Sequence, residues 1–185
     1  QNRVHKLWMD YVPDHTPNTF AEDVHLALGR IGTKSSQPNA SKTDIMKNRW
    51  AHHPTLDKAI HEAFQTTTSL YSDCLNSSLD TPTYHSLYPE DATFSALPPN
   101  QHFLWSGFNQ ANPEYDPDCM TKALQHAIVS CHSLRRRRQA SATVLVLPDW
   151  VHTPYLQSHL INSPYAQKIY TARAGKQTFL LPNQH

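Results

Sequence analysis

Asn112-Pro113-Glu114-Tyr115 sits just after an apolar stretch and just before a helical one, and it brings an amide, a stiff Asn-Pro pair, a carboxylate and an aromatic ring into one short turn. Side chains of these types at the end of a strand can hold a polar ligand and cover a flat one. A plainer reading stands beside it, because Asn and Pro are also turn formers that close strand-to-helix connections. A second chemical feature is the run Arg135, Arg136, Arg137 and Arg138. Positive charge suits a helix C-terminus, yet four adjacent guanidiniums exceed what a helix dipole needs, so a phosphate contact with nucleic acid or an acidic partner is the alternative. The pair His52-His53 with His61 could suggest a metal site. No Cys or acidic ligand recurs at a ligand-like interval, so no metal is expected and these histidines read as surface residues.

The chain has 185 residues, enough for one domain with a real core and a small appended segment. Lys plus Arg number 16 against 15 Asp plus Glu, a formal balance of +1, so any nucleic-acid contact must be local rather than a property of the average surface. The apolar runs are far shorter than the roughly 20 residues that span a bilayer, and the first residues carry no signal-peptide core. No membrane partner is expected. Three cysteines, Cys74, Cys119 and Cys131, match no zinc or redox spacing, which suggests a reduced intracellular setting, nuclear or cytoplasmic. The chain opens on Gln1 rather than Met, and a piece of a larger protein, with further domains or a protein partner, is the expectation.

The elements that must position these groups follow from periodicity. A polar, helical or irregular N-terminal segment is expected over 1–53. It contains a helix from Asn18 to Leu28 with Phe20, Val24, Leu28 and Ile31 on one face, ending at Gly29 and Gly32, then an exposed loop from Lys34 to Lys42. Residues 54–185 read as the main α/β domain. After Pro54, Leu56, Ile60 and Phe64 form one helical stripe with Thr55 as cap. Thr66 to Tyr71 reads as a buried strand, Leu79 to Asn100 as a long irregular loop of the functional kind, and Phe103 to Phe108 as a second apolar run. A helix is expected from about Asp118 to Leu134, with Met120, Leu124, Ala127, Ile128 and Cys131 inward. Thr143 to Trp150 is the clearest strand, followed by a weaker helix from Pro154 to Ile161 and two short strands, KIYTA and TFLL. Aromatics of the long loop, Tyr84, Tyr88 and Phe94, are either loop anchors or stacking surfaces for bases. This alternation is the grammar of an α/β sheet with crossover helices, whose ligands gather beyond the carboxyl ends of the strands. Three loops qualify: Ser72 to Ser77, Asn112 to Asp116, and Pro148 to His152.

In that position Asn112-Pro113-Glu114-Tyr115 resembles the Asn/Asp-Pro-Pro-Tyr/Phe signature of S-adenosylmethionine-dependent amino methyltransferases. The segment ANPEYDPDCM, followed by VLVLPDW, is similar to the pattern of the phosphorylated-CTD-interacting-factor family of cap-adjacent adenosine N6-methyltransferases. LYSDCLN at Leu70 to Asn76 and the aromatic TPTYHSLYPEDATFSA resemble further segments of that family. A more distant similarity reaches Dam-type DNA adenine methyltransferases. The resemblance covers roughly Phe64 to Leu181 and implies a Rossmann-like class I methyltransferase sheet, S-adenosylmethionine as cofactor, and an adenine-containing RNA or DNA substrate. By the same resemblance Asn112, Pro113, Glu114 and Tyr115 occupy the catalytic position. Asn112 and the Pro113 carbonyl would accept the hydrogens of the target amine, and Tyr115 would stack on its base. Tyr71, Ser72, Asp73 and Asn76 would lie against the methyl donor, with Asp149 and Trp150 at the border of the substrate pocket. Glu114 departs from the signature, which has a second proline there. That departure keeps a second expectation open, a catalytically inactive member that binds nucleic acid or scaffolds a partner.

Overall fold

A computed structural model describes residues 3–11, 17–35, 51–86, 88–98, 103–113, 116–148, 158, 162–172 and 179–180. It is a mixed α/β protein. Helices α1 (Arg3–Asp10) and α2 (Pro17–Ser35) precede strand β1 (Ala51–His52) and helix α3 (Pro54–Phe64). Strands β2 (Thr68–Ser72), β3 (Thr83–Ser86), β4 (Gly107–Ala111) and β5 (Ser141–Leu145) form one sheet, all parallel, in the spatial order β3-β2-β4-β5. β1 pairs antiparallel with β6 (Phe179–Leu180) as a separate two-stranded ribbon.

Parallel neighbours require crossover connections, and α4 (Pro117–Arg136) supplies the one from β4 to β5. Its start is written locally: Asp116 Oδ2 accepts from the Cys119 N–H at 3.0 Å, and Pro117 occupies a first-turn position that needs no donor. Met120, Ala123, Leu124, Ala127, Ser130 and Leu134 are buried at helical spacing. Ala123 and Ala127 pack with Leu70, Ala111 and Trp105, so one face of the helix covers the two central strands. The Trp105 indole stacks on His126 at 4.5 Å, and its backbone N–H donates to Ser130 Oγ at 3.0 Å.

The other end of α4 closes as a Schellman motif. Gln139 N donates to Leu134 O at 3.0 Å and Arg138 N to Arg135 O at 3.0 Å, with Arg138 left-handed at φ 57°. Glycine is the usual occupant of that position because a side chain there meets the adjacent carbonyl.

A second core cluster joins Leu7 and Tyr11 of the α1 region and Ala27 of α2 to Cys74, Tyr84 and Phe94, with Phe20 and Val24 packed against it. The Tyr84 hydroxyl donates to Phe94 O at 2.8 Å, and burial holds that phenol above its ordinary pKa. Tyr84 and Phe94 are therefore anchors within the fold, not platforms for a base.

Several sequence expectations are corrected here. α2 runs through Gly29 and Gly32 to Ser35, and Leu28 is 51% exposed; Ala27, not Leu28, is the buried contact. The α3 cap is His53, whose side chain accepts from Thr55 N at 3.3 Å, rather than Thr55. The supposed irregular loop from Leu79 contains β3 and a 3-10 helix, Pro89–Phe94, because Tyr84 and Phe94 bury there and the buried Asp91 carboxylate accepts from Cys74 N at 3.0 Å and Ser86 Oγ at 2.8 Å. Of the apolar run Phe103–Phe108, only Gly107 and Phe108 enter β4, which continues through Asn109, Gln110 and Ala111. β5 begins two residues before Thr143 and ends at Leu145. KIYTA is not a strand: Ile169 and Tyr170 are 63% and 76% exposed. The helix expected over Pro154 to Ile161 lies outside the described residues except for Ser158.

Candidate functional site

The strand order decides where a ligand would go. From β2 the chain steps outward to β3, then returns to the opposite side of β2 for β4 and continues to β5. The connection reverses between β2 and β4. Beyond the carboxyl ends of strands at such a switch point a crevice opens, because the two following loops diverge. The loops in question are those after Ser72 and after Ala111, two of the three singled out from sequence. Asn112 N donates to Leu70 O at 3.5 Å, which fixes the first residue beyond β4 against the end of β2.

β2 does not end as an ordinary strand. Tyr71 has φ 57°, a left-handed conformation that costs a non-glycine residue about 1–2 kcal/mol, and the pairing register shifts between Ser69 and Ser72. The kink lets Ser69 Oγ and Ser72 Oγ share a 2.6 Å hydrogen bond although they are three residues apart. Next comes a tightly wound turn. Asp73 Oδ1 accepts from Leu75 N at 2.8 Å and Asn76 N at 2.9 Å, while Asn76 Oδ1 accepts from Asp73 N at 2.7 Å. Asp73 is a turn former as well as a candidate ligand contact. Arg3 reaches this turn from α1, donating to Ser77 Oγ at 3.3 Å; burial lowers its pKa, opposed by the Asp73 and Asp57 carboxylates.

Between these loops is a cavity of about 10 Å³, room for roughly one water molecule. Ser69, Tyr71 and Ser72 line it from β2, Asn76 and Ser78 from the segment after β2, Gln110 from β4, Asn112 from just beyond β4, His52 from β1 and Asp57 from the first turn of α3. The last pair was not foreseen. His52 Nδ1 lies 2.8 Å from Asp57 Oδ1, and Gln110 Nε2 donates to the same oxygen at 3.3 Å, so α3 is pinned to the central strand by a buried polar network. His52 is 7% exposed, which corrects its reading as a surface histidine. A signal was present in the sequence: Asn109 and Gln110 are polar residues inside a central parallel strand, where an apolar run is the rule.

Tyr71, Ser72, Asn76 and Asn112 are thus brought together around one crevice; Asp73 does not line it but is buried in the turn that braces Asn76, and Pro113 is fully buried. Glu114, Tyr115, Asp149 and Trp150 lie outside the described residues. Arg135 to Arg138 do not join the group. They precede β5 and lie at the opposite end of the sheet, where β5 begins, separated from Asp116 by the whole of α4, 20 residues or about 30 Å of helix.

Burial, and secondarily Cys119, pushes the Tyr71 phenol up to about 12. Its folded value then exceeds the ordinary value of about 10, so the folded state keeps the proton longer. That stabilisation is complete below pH 10 and is lost as pH rises toward 12. In urea unfolding between pH 10 and 12, Tyr71→Phe is expected to lose stability less steeply than the parent; equal slopes would contradict the assignment.

The family model described as "Phosphorylated CTD interacting factor 1 WW domain" matches residues 3–181, from α1 through β6. The chain belongs to this family. No curated protein matches it significantly. The phosphorylated CTD interacting factor 1 match agrees with the resemblance drawn from ANPEYDPDCM and VLVLPDW, and it extends that resemblance over the N-terminal helices. Among the described residues, no helix is long and apolar enough to cross a membrane.

Proposed function

We propose that this member of the phosphorylated CTD interacting factor 1 family is an S-adenosylmethionine-dependent N6-adenine methyltransferase-like domain acting on RNA or DNA. The observation that supports it is the convergence of Asn112 with Tyr71, Ser72 and Asn76 on one polar crevice at the point where strand order reverses. The donor set suits a nucleoside-bearing cofactor in type: hydroxyls and amides for ribose and base edges, with an aromatic ring beside them. Bound S-adenosylmethionine would supply an electrophilic methyl group. Tyr71, Ser72, Asp73 and Asn76 would hold it, and the turn centred on Asp73 would fix their positions.

The chain's own contribution is to aim and activate the acceptor. An adenine amine is a poor nucleophile because its lone pair is conjugated with the ring. The Asn112 side-chain oxygen and the Pro113 carbonyl accept its hydrogens and leave more electron density on nitrogen. Tyr115 covers the base, which has to leave any duplex stack to reach the site.

A second reading is a non-catalytic member of the family that binds nucleic acid or scaffolds a protein partner, including the phosphorylated CTD of the family's name. Two observations favour it. Glu114 introduces a carboxylate and a freer backbone beside Pro113, and the crevice groups are hydrogen-bonded to one another around a water-sized space. Calorimetry with S-adenosylmethionine separates the readings: binding supports the enzyme, and no heat at millimolar ligand leaves the non-catalytic member.

A further inference from the structure

We propose that the cleft between the end of α4 and the start of β5 is a second ligand site, one that binds a nucleotide with its phosphate on Arg135 and Arg138 and its base against Tyr165. The cleft holds about 450 Å³, within the range of small-molecule sites, and is lined by Cys131, Arg135, Arg138, Gln139, Ser141 and Tyr165. The arginines are not there to finish the helix. Backbone N–H groups of Arg138 and Gln139 already satisfy the carbonyls of Arg135 and Leu134, so the termination works without any guanidinium. Yet the left-handed position that glycine fills most cheaply carries Arg138, at φ 57°. Strained residues of this kind are drawn to functional sites, and here the strain places a second cation beside Arg135 on the same cleft.

Paired guanidiniums match the oxygens of a phosphate. The third wall narrows the ligand class. Tyr165 is held by a 3.1 Å hydrogen bond between its hydroxyl and His132 Nδ1, with the two rings edge to face at 5.6 Å. A fixed aromatic ring next to a phosphate clamp serves a base attached to that phosphate, whereas a phosphorylated serine would need only the arginines.

The test is an NMR titration of the full chain with uridine 5′-monophosphate, which has no adenine amine to engage the switch-point crevice. Shifts are expected at Cys131, Arg135, Arg138 to Ser141 and Tyr165. Arg135→Ala and Arg138→Gly should each weaken binding at least tenfold, and Arg138→Gly should unfold at the same or higher urea concentration, which rules out misfolding as the cause. Tyr165→Leu should weaken uridine monophosphate while leaving inorganic phosphate unchanged, and Asn112→Ala should change neither. A parallel titration with 5′-phosphorylated oligouridine identifies the source: tighter binding than the monomer points to a strand, equal binding to a free nucleotide. Unchanged affinity in Arg138→Gly would overturn the proposal. So would inorganic phosphate binding as well as the nucleotide, or a phosphoserine peptide occupying the cleft when uridine monophosphate does not. Because the readout excludes the switch-point crevice, its failure and failure of the methyltransferase reading are separate results.

Discussion

Asp91→Ala should destabilise the protein by about 3–5 kcal/mol. The side chain is 0% exposed, and one of its oxygens, Oδ2, receives both the Cys74 N–H at 3.0 Å and the Ser86 hydroxyl at 2.8 Å. Truncation leaves two buried donors without their acceptor, each costing about 1–3 kcal/mol, and opens space beside Phe94 and Cys74. The position also ties three pieces together: the turn after β2, the end of β3 and the 3-10 helix. Asp91→Asn keeps an acceptor and should lose less than half as much. Urea unfolding of the two variants measures this, and a loss under about 1 kcal/mol for alanine would show that the carboxylate is not the joint described.

The second large effect concerns chemistry. If the domain transfers methyl groups, Asn112→Ala should slow labelled methyl transfer to adenine-containing oligonucleotides by about 10²–10³-fold, the usual cost of removing one acceptor or donor aimed at a developing charge. Affinity for S-adenosylmethionine should change little, since the proposed mechanism gives Asn112 to the acceptor amine rather than to the methyl donor. Undiminished transfer in Asn112→Ala would mean that another residue receives the amine. Glu114→Pro completes the comparison: restoring the stiff backbone should raise transfer, and activity appearing only in that variant would identify an enzyme that lost its function at this position.

Much of this architecture could be read from residue patterns. The apolar spacing in α4 and the β-branched residues of β2 are local signals, and local physics settles them. A sheet with a crossover helix was legible as well, since parallel strands need a long connection; the order of the four strands was not. What escaped had nonlocal causes. α2 passes two glycines, and its earlier turns are anchored by Phe20, Val24 and Ala27 in the cluster with Tyr11 and Phe94. β3 is short and polar at its start; it is held by its pairing with β2, by Thr83 against Thr67 and Thr68, by the buried Tyr84 ring, and by the Ser86 bond to Asp91. The network of His52, Asp57 and Gln110 joins residues 53 positions apart, a distance over which no sequence period operates. The arginine run was visible in the sequence, but its placement at the end of the sheet away from Asn112 depends on which way β5 points.

That placement makes α4 a ruler. It runs from Pro117, a few residues past Asn112, to Arg136, two residues short of the left-handed Arg138, so any single molecule touching both ends must reach about 30 Å, more than a mononucleotide spans. A polymer long enough to span the gap would gain from tethering, because its first contact raises the local concentration of its second. If both proposed sites bind, ligand length, rather than base identity, is the variable to which affinity should respond most steeply.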